Sequence, residues 1–252
     1  MTFGRMGVYC TMRLSVLMPL YNEEKTARQI IEAILGLEIK PQLIIVNNGS
    51  TDSTSDIVEQ FRSHPNVIIV HQQHNIGKGD AIIAGLPSAR GKYTVVQDGD
   101  LEYDPQDLIR MLNTAEKYRA KAVFGSRIRN PQSGISYTRY LWGGKLLTLI
   151  ANLLFRVGIT DESTCYKMIR TDIIKAMRLE SRRFEFCPEV VAKLGRNKIK
   201  IHEIPIAYIP RRFHEGKKIR WHDGLEAIWT LLKYRFKAVP KMHVEPEQKA
   251  TD

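Results

Sequence analysis

A chain of 252 residues, 43% hydrophobic and 26% charged, can bury the core of one large domain or two small ones and is too apolar to stay disordered. Its three cysteines, Cys10, Cys165 and Cys187, are odd in number and widely spaced, so neither a disulfide framework nor a zinc site is readable and a reducing, cytoplasmic setting fits. The formal net charge of +11 is concentrated late, with 17 Lys and Arg against eight Asp and Glu from Arg170 to Pro240, which suits either an anionic partner or a solvated basic face.

Met1–Thr11 carry no readable pattern, and no charged start leads into an apolar signal core. Leu14–Met18 reads as an apolar strand, and Asn22–Leu37 as a helix with Ala27, Ile30, Ile31, Ile34 and Leu35 on one stripe. Leu43–Val46 is a second strand, followed by a turn at 47–52 and a helix carrying Ile57, Val58 and Phe61. Val67–Val70, Tyr93–Gln97 and Lys121–Gly125 continue as strands, with helices at Gly79–Ala89 and Pro105–Tyr118 between them. Apolar strands alternating with amphipathic helices predict a parallel sheet covered on both faces.

Beyond Ser126 the pattern loosens into a helix at Tyr140–Arg156, a strand at Cys165–Ile169 and a helix at Pro188–Leu194. An extended run at Ile199–Ile209 and a helix at Trp221–Phe236 follow. The apolar part of the Tyr140–Arg156 helix is too short to cross a bilayer, which needs about 20 apolar residues. Its Trp142, Leu146, Leu147 and Leu149–Leu154 are expected in the core or in the covered part of an acceptor groove.

In sheets of this kind ligands sit beyond the carboxyl ends of the strands. The first strand is not followed by Gly-x-Gly-x-x-Gly, which argues against a dinucleotide site. Gly77-Lys78 is no phosphate loop either, since Gln72 and Gly79 stand where Gly and Ser or Thr are needed. The sharpest chemical feature is Asp98-Gly99-Asp100 after the fourth strand. Two carboxylates two residues apart can face one hard cation such as Mg²⁺ or Mn²⁺ alongside a diphosphate, with Glu102 reaching back; a polar turn is the plain alternative. His71 and His74 lack a carboxylate at matching spacing and read as loop polars. No helix-turn-helix, zinc-finger or RNA-recognition signature supports a nucleic-acid partner.

The strings PLYNEE, NNGSTDST, NIGKGDA, QDGDLEYDP and FGSR, followed by TDESTCYK, FEFCPEV, EIPIAYIPRR and EGKKIRWHDG, resemble glycosyltransferase family 2. The resemblance runs from about Leu14 to Phe236 and is nearest to the polyprenyl-phosphate sugar transferases. It implies a GT-A fold, a Rossmann-like α/β arrangement, over residues 12–210, with a basic extension at 211–252. It implies a nucleotide-diphosphate sugar donor, a lipid-phosphate acceptor, a divalent metal and inversion at the anomeric carbon.

Carried over position by position, Pro19, Tyr21 and Glu23 would line the nucleotide pocket, with Asn48, Lys78 and Asp98 also on the nucleotide side. Asp98, Asp100 and Glu102 would hold the metal, and Arg127, Arg139, Arg211 and Lys218 would face the phosphates. The family commonly has an acidic pair where this chain has Asn47-Asn48, which leaves the nucleobase open. A soluble hydroxyl acceptor is the second reading and would need a base, for which Asp161 and Glu189 are candidates. The Trp221–Phe236 helix has a stripe of Trp221, Leu225, Ile228, Trp229, Leu232 and Phe236 with cations at both ends. It reads as a peripheral contact with an anionic membrane face. Burial within the domain and a homodimer contact are the alternatives.

Overall fold

The computed structural model describes residues 12–131, 133–134, 138–211 and 221–242, with the side chains of 138–140 and 221 left out. Seven strands form one sheet: β1 Leu14–Leu20, β2 Gln42–Asn48, β3 Val67–Gln72, β4 Tyr93–Val96, β5 Ala122–Ser126, β6 Lys167–Arg170 and β7 Ile201–Pro205. Their spatial order is β3-β2-β1-β4-β6-β5-β7. The strands β1, β2, β3 and β4 pair in parallel, as do β5 and β7, while β6 runs antiparallel to both of its neighbours. The chain leaves β1 towards β2 and β3, then returns to place β4 on the opposite side of β1. This reversal opens a crevice beyond the carboxyl ends of β1 and β4.

The helices are α1 Ala27–Leu35, α2 Thr54–Glu59, α3 Lys78–Gly85, α4 Asp107–Lys117, α5 Thr138–Phe155, α6 Thr171–Ala176, α7 Phe186–Arg196 and α8 Trp221–Phe236. Spacing of three and four residues puts Ala27, Ile30, Ile31 and Ile34 of α1, and Leu108, Met111, Leu112 and Ala115 of α4, against the sheet, all of them buried. All seven residues of β2 are buried, as expected for a strand covered on both faces.

Three differences from the expected elements have local causes. Helix α1 starts at Ala27 because the preceding amides are bound elsewhere: Asn22 N–H donates to Ser50 Oγ, Glu23 N–H to Thr54 Oγ1 and Glu24 N–H to Asp52 Oδ2. The antiparallel β6 follows from α5, whose long excursion returns the chain between β4 and β5 from the other end. Helix α5 is not a core helix. Thr148, Ala151 and Phe155 turn inward, whereas Trp142, Leu146, Leu149 and Leu153 are exposed, because α7 and α8 cover only one side of it.

A buried ion pair within α7 is tied to α8 through Tyr234. Lys193 Nζ lies 2.5 Å from Glu189 Oε1, both side chains being almost wholly inaccessible. Lys193 also donates to the carbonyls of Met177 and Arg178, while Glu189 accepts from the Glu180 and Ser181 amides and from Tyr234 Oη. Burial alone would raise the Glu189 pKa, but the hydrogen bond and charge of Lys193, with the Ser181 amide, hold it below the usual carboxylate range. A carboxylate depressed in the folded state contributes stability above its unfolded pKa and loses it as pH falls. Glu189→Gln is therefore expected to lower stability at neutral pH by about 3 kcal/mol, because the Lys193 charge is left uncompensated. It should also flatten the loss of stability that the native protein shows on acidification below about pH 4.3. Denaturant titrations of both proteins from neutral to acid pH measure both effects.

Candidate active site

Beyond the carboxyl ends of β1 and β4 lies a cavity of about 1420 Å³ whose walls include Pro19, Tyr21, Glu23, Asn48, Lys78 and Asp98. It extends past Asp100, Glu102 and Arg211 to the N-terminal halves of α5 and α8. Each wall is set by its element. Pro19 stands opposite Val46 of β2 one residue before the end of β1, and the turn after β4 presents Asp98 and Asp100.

The carboxylates are met by cations from distant parts of the chain. Lys78, at the start of α3, places Nζ 2.5 Å from Asp98 Oδ1 and also donates to Cys165 Sγ at 3.1 Å. Arg211 places Nη2 at 2.9 Å from Asp100 Oδ2 and Nη1 at 3.2 Å from Glu23 Oε2. Its backbone N–H donates to Glu102 Oε1, and Glu102 Oε2 accepts from Tyr208 Oη. A bridge between Tyr103 and Tyr208, with Ile209 N–H donating to Glu102 O, lays the segment after β7 along this acidic turn.

The two aspartates are driven apart in acidity. Burial would raise Asp98, but the ammonium of Lys78 outweighs it and holds Asp98 below the usual range. Asp100 is pushed up to about 7, by burial first and then by the charges of Asp98 and Glu102, with Arg211 opposing. Among the described residues the three carboxylates of the turn are paired with two cations, Lys78 and Arg211, and all of its ligating atoms are hard oxygens.

The other expected residues fall as follows. Arg127 lines the cavity, but Nε and Nη2 both lie 2.8 Å from the Asp161 carboxylate, and its guanidinium sits 5.0 Å over the Tyr208 ring. Asp161 stays ionised, since Arg127 outweighs the effect of burial. Arg139 lies in the first turn of α5, with its side chain outside the described residues, and Lys218 lies outside them altogether. Neither carboxylate considered as a base is free: Asp161 is held by Arg127, and Glu189 is sealed between α7 and α8. His71 bonds Glu59 and Asn47 on the surface.

Asn48 donates from Nδ2 to Asn75 Oδ1 and to Gly77 O, so its amide orientation is settled and Oδ1 is left buried without a bond. Asn47 caps the turn by accepting from the Ser50 amide. Tyr103, Tyr208 and Cys165 were not singled out from sequence. Tyr208 stands among apolar neighbours, Tyr103 among the carboxylates that drew attention instead, and a lone cysteine gives no spacing to read.

The loop that delivers Lys78 depends on close backbone packing. Gly79 N–H donates to Arg183 O and Asp80 N–H to Arg182 O, and a Cβ on Gly79 would stand 2.1 Å from Ser181 O. Gly79→Ala is expected to cost about 3 kcal/mol through overpacking. Gly143→Ala, in α5 with nothing within 4 Å, should be neutral or stabilising by up to about 1 kcal/mol. Thermal or urea unfolding of the two variants separates these outcomes.

Comparison with known proteins places this geometry. The low-salt glycan biosynthesis hexosyltransferase Agl6 of Haloferax volcanii is 30% identical over 226 residues, covering 87% of this chain and 53% of the relative. The undecaprenyl-phosphate 4-deoxy-4-formamido-L-arabinose transferase of Proteus mirabilis is 29% identical, covering 81% and 62%. The chain thus spans between about half and three fifths of the length of these curated relatives. A crystal structure of glucosyl-3-phosphoglycerate synthase from Mycobacterium tuberculosis, with Mn²⁺, uridine-diphosphate and phosphoglyceric acid, superposes with a TM-score of 0.65 at 17% identity, covering 89% of this chain and 79% of that one. That likeness shows the fold, which is of the GT-A type. The family model "Glycosyl transferase family 2" matches residues 15–178, well over half of the sequence, and the chain therefore belongs to glycosyl transferase family 2.

Proposed function

We propose that this chain moves a sugar from a nucleoside-diphosphate donor to the phosphate of a polyprenyl phosphate, with inversion at the anomeric carbon and with a bound Mg²⁺ or Mn²⁺. The observation that carries the reading is the acidic turn at Asp98, Asp100 and Glu102, set in one cavity with Lys78 and Arg211 and opening towards two apolar helices. Relatives support the acceptor class, since the P. mirabilis protein is named for transfer to undecaprenyl phosphate.

The donor atoms fit a hard divalent cation. Asp98 and Asp100 would hold it, with Glu102 beside them. Among the described residues no three His, Cys, Asp or Glu side chains form a complete ligand set. The three-carboxylate set of Asp98, Asp100 and Glu102 is thus not assembled here, and an ion such as Mg²⁺ would take one or two of them and fill its shell with substrate phosphates and water. When bound, the cation supplies Lewis-acid stabilisation of the departing diphosphate.

The chain's own groups do the rest. A phosphate oxygen of the acceptor attacks the anomeric carbon, the bond from that carbon to the donor diphosphate breaks, and the electron pair leaves with the nucleoside diphosphate. Lys78 and Arg211 lie where they offset the negative charge that develops. Arg211 suits a fork-shaped contact with phosphate oxygens once a donor competes for it. A phosphate monoester is already an anionic nucleophile. No general base is needed, in keeping with the engagement of Asp161 and Glu189 elsewhere.

The test is to incubate purified protein with a set of nucleotide sugars and either undecaprenyl phosphate or water-soluble acceptors, followed by mass spectrometry of products. A lipid-phosphate sugar that forms with Mg²⁺ or Mn²⁺ and disappears in excess chelator is expected. Asp100→Asn should lower kcat by at least ~10²-fold, the scale of losing one electrostatic contributor. Full turnover in chelator overturns the metal assignment, and product only on a soluble hydroxyl acceptor overturns the lipid-phosphate assignment.

A further inference from the structure

Among the described residues four buried side-chain oxygens have no hydrogen-bond partner: Asn48 Oδ1, Gln72 Oε1, Glu162 Oε1 and Glu185 Oε2. Such atoms are uncommon, because a buried polar group left unpaired is costly. Of the four residues, Asn48 and Glu162 belong to the cavity wall. Asn48 stands on the nucleotide side described above. Glu162 is 1% exposed, carries a carboxyl group, and so far has no part in the chemistry.

The fold holds this carboxyl in place and leaves one oxygen over. Glu162 N–H donates to Thr148 Oγ1 of α5, and Glu162 Oε2 accepts from Ser163 Oγ at 3.1 Å. Lys167, equally buried, brings its charge near, but its ammonium donates to the carbonyls of Glu162 and Thr164. Burial raises the Glu162 pKa, with Lys167 and Ser163 opposing. Space lies open beside the group. A Cβ on Gly144 of α5 would meet nothing nearer than Ser163 Oγ at 3.8 Å. Gly144, Thr148, Thr160 and Ser163 all line the cavity, so the wall around Glu162 is small and polar.

The chemistry of the spare oxygen selects what can meet it. A carboxyl group suits a hydroxyl in either protonation state, accepting from it when ionised and donating to it when protonated. A phosphate is repelled by the ionised form, and an apolar chain leaves the oxygen unsatisfied. Both ends of a polyprenyl phosphate are thereby excluded. Hydroxyls remain on the transferred sugar and on the ribose. The expected nucleotide walls, Pro19, Tyr21 and Asn48, lie on β1 and β2 or just beyond. Glu162 precedes β6, which β1 and β4 separate from β2. The sugar is the better match.

We infer that Glu162 Oε1 hydrogen-bonds one hydroxyl of the transferred sugar and so helps set which sugars the site accepts. The inference deepens the proposed glycosyl transfer and rests on it for the nature of the ligand. Calorimetry with uridine- and guanosine-diphosphate sugars first identifies the donor bound best. Its monodeoxy analogues, with the 2′-deoxyribose form as a control, are then compared on native protein, Glu162→Leu, Glu162→Gln and Ser163→Ala. Binding needs no acceptor, so this readout stands apart from lipid transfer.

The native protein should bind one sugar-monodeoxy analogue about ten- to hundredfold more weakly than the parent, the range for a hydrogen bond to a charged group. Glu162→Leu should bind the two equally and leave the affinity for free nucleoside diphosphate unchanged. Glu162→Gln keeps an acceptor oxygen and should retain most of the preference. Ser163→Ala frees the carboxyl to turn and should lower the preference about fivefold. If Glu162→Leu does not fold because Lys167 is left uncompensated, the Ser163→Ala result decides. A preference unchanged by Glu162→Leu, or by Ser163→Ala where it decides, overturns the inference. So does a preference that only the ribose control reveals, or a sugar that adds nothing to the affinity of the free nucleoside diphosphate. Sugar discrimination through Glu162 without transfer to any prenyl phosphate sinks the lipid-phosphate reading and leaves this subsite standing. Transfer without such discrimination does the reverse.

Discussion

Four carboxylates, those of Glu23, Asp98, Asp100 and Glu102, converge beyond β1 and β4, and the site depends on how their repulsion is managed. Lys78 answers Asp98 and Arg211 answers Asp100 and Glu23, each cation arriving from another part of the fold. Pairs held this far from water gain little net stability, because desolvation cancels most of the attraction. Their consequence is positional. They anchor the start of α3 and the segment after β7 to one acidic turn, and so bring together the walls of the cavity.

Among the described residues two cations pair with these four carboxylates, and Asp100 is pushed up by burial first and then by the charges of Asp98 and Glu102. The buried pair of Lys193 with Glu189 is different in kind. Every polar atom there is satisfied by backbone or by Tyr234, so it joins α7 to α8 and has nothing left to offer a ligand. Arg127 lies between these cases, its fork engaged by Asp161 but its face turned along the cavity.

The second constraint is the division of apolar surface. Along α1 and α4 the apolar residues form one stripe, which the sheet consumes. Along α5 and α8 the apolar residues are too many for one stripe, and the small neighbours Ala151, Ala227 and Thr230 take the inner positions. Bulky groups are left exposed on the two helices whose N-terminal halves line the cavity.

Much of this was legible beforehand. The strands up to β5, their alternation with helices, and the Asp98-Gly99-Asp100 turn followed from local periodicity and turn chemistry, because parallel strands must be apolar throughout and their ends must be polar. Pro19, Glu23, Asn48 and Lys78 were named by the resemblance to the family, and all four lie on the wall of one cavity. What periodicity could not supply was anything set by contacts across the chain. The antiparallel course of β6, the shortening of α1 by the amide bonds of residues 22–24, and the choice of which α5 and α8 face to bury all depend on neighbours more than 20 residues away. The residue type Arg at 211 or 127 announces only a cation with five donors. The tertiary structure alone decided that one closes over the acidic turn while the other is held by Asp161, since an ion pair is selected by distance and burial, and neither is a property of local sequence.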